Sequence, residues 1–441
     1  MNTNNKQSII EPKTLAGFME LLPSRQILFN RIVDEVRSSY ESFGFLPLDT
    51  PALEYSSVLF AKAGDEVEKQ VYRFTKGDTD MALRFDLTVP LAKYVAKNYH
   101  NLAFPFRRYQ IGKVYRGERP QKGRFREFYQ ADIDIIGDGS LSILCDAEIP
   151  AIIATVFKKL GFNDFSILLS NRKILQGFLS DLGLKEKRAA ISTVLDKLKK
   201  IGLEKTEIEL QKLGIKQKDI AKILSFIVKG LYLKDQVIES LENMKGGEEF
   251  KQGVQELKTV VNGIRAFGVS DDNFDIDLTI VRGLDYYTGT VFETFLTGHE
   301  DIGSVCSGGR YDNLAGLYID KKLPGIGISI GLTRLFDKLE NDFKLDSSAH
   351  TDILVVSLDD DKSVVLKSAT ALREQGIKAL AYLEDTKLKN KFKYAEKLQI
   401  PFIAIIGETE RANGTVTLKN LVTGEQREQI AIDEAVRIVE S

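Results

Sequence analysis

The sequence has few of the residues that mark disulfide-linked, zinc-binding or membrane proteins. Its 441 residues include only two cysteines, Cys145 and Cys306, three histidines and no tryptophan. Neither cysteine has a metal-ligand spacing to the other or to a histidine, which excludes a disulfide framework and a Cys/His zinc site and predicts two reduced, buried thiols. No apolar run approaches the ~20 residues that a membrane helix needs. We therefore expect a globular protein without a membrane partner.

A large net charge is also absent. The 61 basic and 63 acidic residues give a formal net charge of −2, so any nucleic-acid contact has to come from locally clustered lysines and arginines. Residues 1–11 contain no apolar signal core, which predicts a disordered tail and a cytoplasmic location. The length predicts roughly three domains. Nothing in the composition predicts DNA as a partner.

A cationic loop lies between two strand-like runs in residues 106–130. Five basic residues fall between Arg116 and Arg126, together with a proline and a glycine. Like charges at the tip of a hairpin repel one another unless an anion joins them, so this pattern predicts a phosphate-binding hairpin. The second run continues as an alternating strand through Asp132-Ile133-Asp134.

The stretch Val281-Arg-Gly-Leu-Asp-Tyr-Tyr287 is predicted to be a tight loop between two strands. Residues 274–280 alternate apolar and polar side chains, and residues 288–295 are rich in β-formers. An Arg-Gly turn with packed tyrosines is a common way to close a hairpin. From the residues alone, a structural and a binding role are both open.

Three further segments combine glycine, proline or acidic residues with a predicted change of backbone direction. Leu83–Pro90 predicts a strand that leads into a helix and leaves Asp86 and Thr88 at the helix N-terminus, where capping alone would explain them. The string Gly308-Gly-Arg-Tyr-Asp312 predicts either a glycine turn before a helix or a close approach of the backbone to a ligand. Residues 324–335 predict a buried strand that feeds a helix with an arginine near its start.

Together these motifs resemble those of the histidyl-tRNA synthetases, a family of class II aminoacyl-tRNA synthetases. Arg-Gly-Leu-Asp-Tyr-Tyr and Gly-Gly-Arg-Tyr-Asp resemble the two histidine-specific motifs, the hairpin in residues 106–130 resembles motif 2, and residues 324–335 resemble motif 3. The segment Gly44–Glu54, with Pro51 near the end of a strand, resembles motif 1, which builds the dimer interface in that family.

The resemblance implies an α+β fold. Residues 12–170 and 269–343 would form a class II synthetase catalytic domain built on an antiparallel sheet. Residues 171–268, with apolar positions at helical spacing among many Lys and Glu and breaks at Gly202, Gly214 and Gly230, predict a helical insertion, which would lean over the tRNA acceptor stem. Residues 350–441 alternate short apolar strands with helical segments, which predicts a small α/β domain with a parallel sheet. By the resemblance this is the anticodon-binding domain.

The resemblance also implies roles for individual residues. Those implied for ATP are Arg116, Glu118, Arg124 and Arg334, and those implied for histidine are Asp86, Thr88, Gln130, Asp134, Arg282, Tyr286, Tyr287 and Tyr311. Arg116 and Arg282 would be catalytic, because a guanidinium suits both carboxylate and phosphate. Attack of a carboxylate on the ATP α-phosphate joins two anions, so the reaction needs positioning and charge neutralisation rather than a dedicated acid or base.

By the same resemblance, the partners would be histidine, ATP with Mg²⁺, and the acceptor stem and anticodon of tRNA(His), bound by a homodimer. Mg²⁺ would be held largely by phosphates and one or two carboxylates, which the sequence does not single out. The alternative is a catalytically inactive synthetase-like regulatory protein that binds histidine or senses tRNA. Such paralogues typically lose the C-terminal domain or the Arg-Gly-Leu-Asp-Tyr-Tyr loop, and this sequence keeps both. No P-loop string is present, which speaks against an ordinary P-loop NTPase.

Overall fold

The protein is described from a computed structural model, which describes residues 10–61, 69–119, 125–229, 234–280, 286–312, 314–343, 350–359 and 361–440. The chain divides into two compact units, of which the second begins at Asp346 and also includes Leu21–Leu28. Residues 1–9 of the predicted tail and residues 281–285 of the predicted histidine-specific loop lie outside the described residues. Within the described residues, no helix combines the length and the hydropathy needed to cross a membrane.

Eleven strands form two sheets in the described part of the first unit. They are β1 (Leu46–Pro47), β2 (Leu53–Tyr55), β3 (Arg73–Lys76), β4 (Thr79–Leu83), β5 (Phe106–Tyr115), β6 (Glu127–Ile136), β7 (Phe165–Asn171), β8 (Phe274–Ile276), β9 (Tyr287–Leu296), β10 (Cys306–Tyr311) and β11 (Gly325–Gly331). The main sheet has the order β1-β5-β6-β11-β10-β9-β7-β8, and β2-β4-β3 forms a small second sheet. In the main sheet, only the two outer strand pairs, β1 with β5 and β7 with β8, are parallel. The expected antiparallel sheet is therefore confirmed.

Helices surround this sheet. They are α1 (Pro23–Ser42), α2 (Ser56–Leu59), α3 (Thr88–Asn98), α4 (Leu144–Lys159), α5 (Arg172–Asp181), α6 (Arg188–Leu195), α7 (Leu198–Lys212), α8 (Gln217–Lys229), α9 (Lys234–Glu242), α10 (Glu248–Ala266) and α11 (Leu332–Leu339). Six of them lie in residues 171–268. Gly202 interrupts α7 with a φ of 81°, and Gly214 follows the same helix with a φ of 69°, because these left-handed backbone conformations favour glycine. The predicted break at Gly230 lies outside the described residues.

The apolar residues of α1 fix which face of the main sheet is covered. Phe29, Ile32, Val36 and Tyr40 are buried, and each fully buried side chain of this kind contributes about 1.5–3 kcal/mol. The ring of Phe29 lies 5.2 Å from that of Tyr129 in β6. Because successive side chains of a strand point to opposite faces, α1 covers the odd-numbered residues of β6 and leaves the even-numbered ones on the other face.

The strand predicted at residues 274–280 is too long, and it does not form a hairpin with β9. β8 ends at Ile276, where Asp277 begins a turn: its Oδ1 accepts hydrogen bonds from the Thr279 backbone N–H (2.8 Å) and hydroxyl (2.5 Å), and Lys199 pairs with its Oδ2. β7 lies between β8 and β9 and pairs with both. The sequence pattern did not show this intervening strand, because β7 is about a hundred residues earlier in the chain.

The second unit has the predicted βαβαβ order with two additional strands. Its elements are β12 (Ile353–Ser357), α12 (Lys362–Glu374), β13 (Ala379–Ala381), α13 (Leu388–Lys397), β14 (Phe402–Ile406), α14 (Glu408–Asn413), β15 (Val416–Asn420), β16 (Gln426–Ile430) and α15 (Ile432–Glu440). β13, β12 and β14 are parallel, as predicted. β15 pairs antiparallel with β14, and β16 pairs antiparallel with β15. The unit therefore has a mixed sheet rather than a purely parallel one.

Candidate active site

A depression lies on the face of the main sheet that carries the even-numbered residues of β6. It consists of a larger cavity of about 730 Å³ and a smaller one of about 320 Å³. The two cavities share the lining residues Arg116, Gln130, Ser307 and Ser329. They therefore form one continuous site with two compartments.

The structure brings together nearly all of the site residues expected from the sequence. Those that line the larger cavity are Asp86, Thr88, Arg116, Gln130, Asp134, Tyr286, Tyr287 and Tyr311, and those that line the smaller one are Arg116, Glu118, Gln130 and Arg334. The residues assigned to histidine thus line the larger compartment, and those assigned to ATP line the smaller one. Arg124 and Arg282 lie outside the described residues.

Strand register explains why these side chains meet. The three rows of opposed residues across β5, β6 and β11 are Arg108, Asp134 and Gly327; Gln110, Asp132 and Ser329; and Gly112, Gln130 and Gly331. Directly opposed residues of antiparallel strands share one face of the sheet. The polar side chains of β6 therefore lie beside polar side chains of β5 on the same face. The small residues of β11, glycine and serine, leave space for the cavity above this face.

Asp134 is the most constrained acidic residue of the larger compartment. Its Oδ1 accepts a hydrogen bond from the Tyr311 hydroxyl at 2.9 Å, and its Oδ2 lies 2.5 Å from Nη2 of Arg108. Burial raises the pKa of Asp134 to about 6, although Arg108 and the Tyr311 hydroxyl both favour its ionised form. A Cβ on Gly327 would lie 2.2 Å from Oδ1, so only glycine at this position leaves room for the carboxylate.

Two further carboxyl groups lie nearby. Burial raises the pKa of Asp132 to about 7 and also raises the pKa of Asp86, whose Oδ1 accepts a hydrogen bond from the Val89 N–H at 3.0 Å. This contact confirms that Asp86 lies at the N-terminus of α3, where the helix dipole favours a negative charge. Asp86 also raises the pKa of both Asp132 and Asp134, and Asp134 raises that of Asp132, because like charges in a buried site repel.

Arg116 lies where the two compartments meet. Its guanidinium is 4.4 Å from the ring centroid of Phe85 and 5.1 Å from that of Phe128, and its Nε donates to the Phe85 carbonyl at 3.3 Å. Burial lowers its pKa, but a guanidinium remains charged at neutral pH. These two ring contacts and the hydrogen bond to the Phe85 carbonyl restrict the position of the guanidinium, which lines both compartments.

Three tyrosines form the wall of the larger compartment. The ring centroid of Tyr286 lies 4.9 Å from that of Tyr287 and 6.0 Å from that of Tyr311, both in edge-to-face arrangements. Burial raises the pKa of all three phenols, so they stay neutral at physiological pH. Their rings and the carboxylate of Asp134 line one part of the larger compartment, which we call the slot. Aromatic surface beside a carboxylate acceptor suits a planar heterocycle that carries an N–H.

Models of two families match the chain. The model described as histidyl-tRNA synthetase matches residues 17–335, and the model described as anticodon binding domain matches residues 352–441. The chain belongs to the histidyl-tRNA synthetase family. It is 53% identical to the histidine–tRNA ligase of Clostridium tetani over 99% of this chain and 100% of that relative, and 46% identical to that of Clostridium acetobutylicum over 96% and 98%. The crystal structure of histidyl-tRNA synthetase from Nostoc sp. PCC 7120 is 40% identical, with a TM-score of 0.88 over 98% of this chain and 99% of that one.

Membership of the histidyl-tRNA synthetase family confirms the resemblance, the α+β fold and the presence of a C-terminal anticodon-binding domain. It also identifies the ligase class of the enzyme. The roles of individual residues in binding ATP or histidine and in catalysis stay predictions of the resemblance.

Several residues of this synthetase site were not expected from the sequence. Arg108, Asp132 and Ser329 lie in the rows described above, and the alternation of β5 and β6 was the signal that could have found the first two. Residues of the helical insertion also line the larger cavity: Arg172, Ala189, Ser192 and Thr193. No local pattern indicates that α5 and α6 reach the sheet, because those contacts join distant parts of the chain.

The Gly-Gly-Arg-Tyr-Asp string does not form a turn before a helix. Gly308 and Gly309 belong to the central strand β10, and a Cβ on Gly309 would lie 2.8 Å from the Thr290 carbonyl oxygen. Arg310 is buried, and its Nε and Nη2 donate to Asp146 at 3.0 and 2.7 Å. This arginine therefore joins the sheet to α4 and does not line either cavity.

The two cysteines differ in burial. Cys306 is buried and lines the smaller compartment, whereas Cys145 is only half-buried. The prediction of two buried thiols is therefore wrong for Cys145. It holds for Cys306, because β10 lies inside the sheet.

Proposed function

We propose that this protein attaches histidine to tRNA(His) in two steps, using ATP and Mg²⁺ and forming histidyl-adenylate as the intermediate. The observation that carries the proposal is the tyrosine-lined slot that ends at Asp134 and opens onto a compartment lined by Arg116 and Arg334. An imidazole in the slot would place the amino acid carboxylate toward Arg116. The protein would act in the cytoplasm as a homodimer, with the dimer interface built by the motif 1 segment, Gly44–Glu54.

In the first step the histidine carboxylate attacks the ATP α-phosphate and pyrophosphate leaves. Asp86, Thr88 and Gln130 would hold the α-ammonium, and the ring N–H would donate to Asp134. Arg116, with Arg282, would neutralise the two anions as they approach, because preorganised guanidinium groups stabilise charge that builds up in the transition state. The main contribution of both arginines to catalysis would thus be to position the carboxylate and the α-phosphate for reaction.

The nucleotide would occupy the smaller compartment. Arg334 would lie over the adenine and the terminal phosphates, Glu118 would meet the adenine end, and Arg124 would contact the nucleotide from the motif 2 loop. Mg²⁺ is held largely by phosphate oxygens with one or two carboxylates. Among the described residues no group of three or more His, Cys, Asp or Glu side chains is arranged to hold a metal ion. Glu118 offers one carboxylate of the required kind in the smaller compartment.

In the second step the terminal hydroxyl of the tRNA attacks the adenylate carbonyl, and AMP leaves. The helical insertion, residues 171–268, would contact the acceptor stem, and residues 350–441 would bind the anticodon. The insertion residues that line the larger cavity support this assignment, because they lie beside the place where the activated histidine would be. Phosphate contacts of the insertion should make tRNA affinity depend on salt.

The deciding experiment is ATP–pyrophosphate exchange with each amino acid in turn, followed by aminoacylation of tRNA(His). We expect exchange that requires histidine, and its loss in Arg282→Ala and Arg282→Lys, since a lysine lacks the bidentate fork. Arg37→Ala is the matched control, because Arg37 forms an exposed ion pair on α1. Histidine binding without exchange would instead identify a regulatory synthetase-like protein and overturn the catalytic roles of Arg116 and Arg282.

A further inference from the structure

Arg108 is a fully buried charged residue that the reaction described above does not use. It lies directly opposite Asp134 in the register of β5 and β6, and its side chain has 0% exposure. Nη2 contacts Oδ2 of Asp134 at 2.5 Å and donates weakly to the Leu87 carbonyl at 3.4 Å. Nε and Nη1 are buried without a hydrogen-bond partner in the described part of the chain. Packing alone does not explain so costly a group.

The surroundings of Asp134 explain what the charge does. Titratable groups of both signs line the cavity around Asp134: the acids Asp86 and Asp132, the phenols of Tyr286, Tyr287 and Tyr311, and the guanidinium groups of Arg116 and Arg172. The cation that pairs directly with its carboxylate is Arg108. Burial and Asp86 raise the pKa of Asp134, whereas Arg108 and the Tyr311 hydroxyl lower it, Arg108 more strongly. Without a cation at position 108 the pKa of Asp134 would rise, so a larger fraction of the carboxyl group would be protonated at neutral pH.

We propose that Arg108 is a positioning residue that keeps Asp134 ionised and aimed into the slot, and that this pair makes the pocket selective for a ring with an N–H. The inference rests on the proposed function, because it assumes that Asp134 meets the imidazole of histidine. Arg108 acts through Asp134 and does not itself line the cavity. Tyr311 completes the arrangement by donating to the other carboxylate oxygen.

Selectivity follows from the protonation state of the carboxyl group. An ionised carboxylate only accepts hydrogen bonds, whereas a protonated one also donates. A ring nitrogen that carries a hydrogen therefore suits the ionised Asp134, and a ring that lacks an N–H cannot donate the hydrogen bond that replaces the one lost with water. Histidine satisfies the site, and 3-(4-thiazolyl)alanine, whose ring has the same shape but no N–H, does not.

The test measures histidine binding by titration calorimetry, which does not depend on catalysis. At pH 7 we expect Arg108→Met to weaken binding by roughly tenfold to a hundredfold. The deficit relative to the wild type should shrink at pH 9, because a raised Asp134 pKa leaves the ionised form available only at higher pH. In the same variant, the difference in affinity between histidine and thiazolylalanine should become smaller. In pyrophosphate exchange, KM for histidine should rise and KM for ATP should stay within about twofold.

Arg107→Met is the matched control. Arg107 precedes Arg108 on β5, points to the opposite face, and pairs with Glu148 at 2.8 Å. Its loss should leave histidine affinity, the pH dependence and the discrimination at wild-type values. Arg108→Lys keeps the positive charge but lacks the bidentate guanidinium. We therefore expect this variant to show the wild-type pH dependence and a histidine affinity between those of the wild type and Arg108→Met. It also decides the question if Arg108→Met does not fold.

The possible outcomes separate the two proposals. A wild-type protein that does not bind histidine would refute the proposed function. Wild-type binding together with unchanged affinity, pH dependence or discrimination in Arg108→Met would refute the role of Arg108 alone. Equal losses in the Arg107 and Arg108 variants would also refute it, because a general loss of packing would then suffice.

Discussion

Replacement of Gly327 by alanine tests how closely the sheet is fitted around Asp134. Gly327 is opposite Asp134 in the register of β6 and β11. A Cβ at this position would lie 2.2 Å from Oδ1 of Asp134 and 2.6 Å from the Ile133 carbonyl oxygen. The carbonyl belongs to the central sheet and has little freedom to move. The side chain of Asp134 would therefore have to give way.

The distances set the size of the effect. An ordinary contact of a Cβ is 3.4–4 Å and only 2.2 Å is available, so the carboxylate must shift by more than 1 Å and lose its present contacts with Tyr311 and Arg108. A displacement of this size in a binding site costs on the order of 100-fold. Overpacking of the sheet adds a loss of about 1–3 kcal/mol in stability. The variant should thus fold with reduced stability, and its main functional defect should be a higher KM for histidine.

The assay is pyrophosphate exchange with histidine and ATP varied separately, together with thermal unfolding. We expect KM for histidine to rise by on the order of 100-fold in Gly327→Ala. Ile326→Val is the control, because Ile326 is the fully buried neighbour on the opposite face of β11 and the change should cost a comparable ~0.5–1.5 kcal/mol without moving Asp134. If Gly327→Ala loses stability but its KM for histidine does not change, the predicted displacement of the Asp134 carboxylate is refuted.

Three further predictions follow from the same contacts. Arg310→Met should lower the free energy of unfolding by about 3–5 kcal/mol, because Asp146 would remain buried without its charged partner. The control Arg265→Met removes an exposed ion pair and should lower the free energy of unfolding by less than about 1 kcal/mol. Denaturant titration measures both. Arg116→Lys should reduce exchange by on the order of 100-fold through lost bidentate contact, and equal rates would contradict its role. Lowering the pH through about 6 should raise KM for histidine more than protonation of the free amino acid accounts for, because Asp134 then loses its charge.

Local patterns predicted the parts of the fold that depend on local physics. The alternation of β6 and the position of Asp86 at the start of α3 both follow from the conformations of a few consecutive residues. The same alternation placed Gln130 and Asp134 on one face. These residues line the cavity because the strand that carries them is central, and a central strand pairs on both sides.

Strand neighbours were the part that the sequence did not reveal. Nothing near β8 or β9 indicates that β7 separates them, and nothing in Gly308-Gly309 distinguishes a turn from a strand whose neighbours leave no space for a Cβ. Arg310 is the same case, since only its proximity to Asp146 in space shows that it is structural. Contacts between residues more than a hundred positions apart decide the strand order and the role of Arg310. The neighbours of Gly308 and Gly309 are about twenty positions away.

The electrostatics of the site and the register of the sheet have one origin. Gln130, Asp132 and Asp134 are two residues apart, so the pleat brings their side chains to one face, and burial then raises the pKa of both acids. A buried carboxylate is costly unless a partner offsets it. β5 supplies that partner at the opposed position through Arg108, and β11 supplies space through Gly327. The ionised acceptor that we propose for the imidazole would therefore depend on three paired strands, and a one-residue slip of β5 against β6 would remove it.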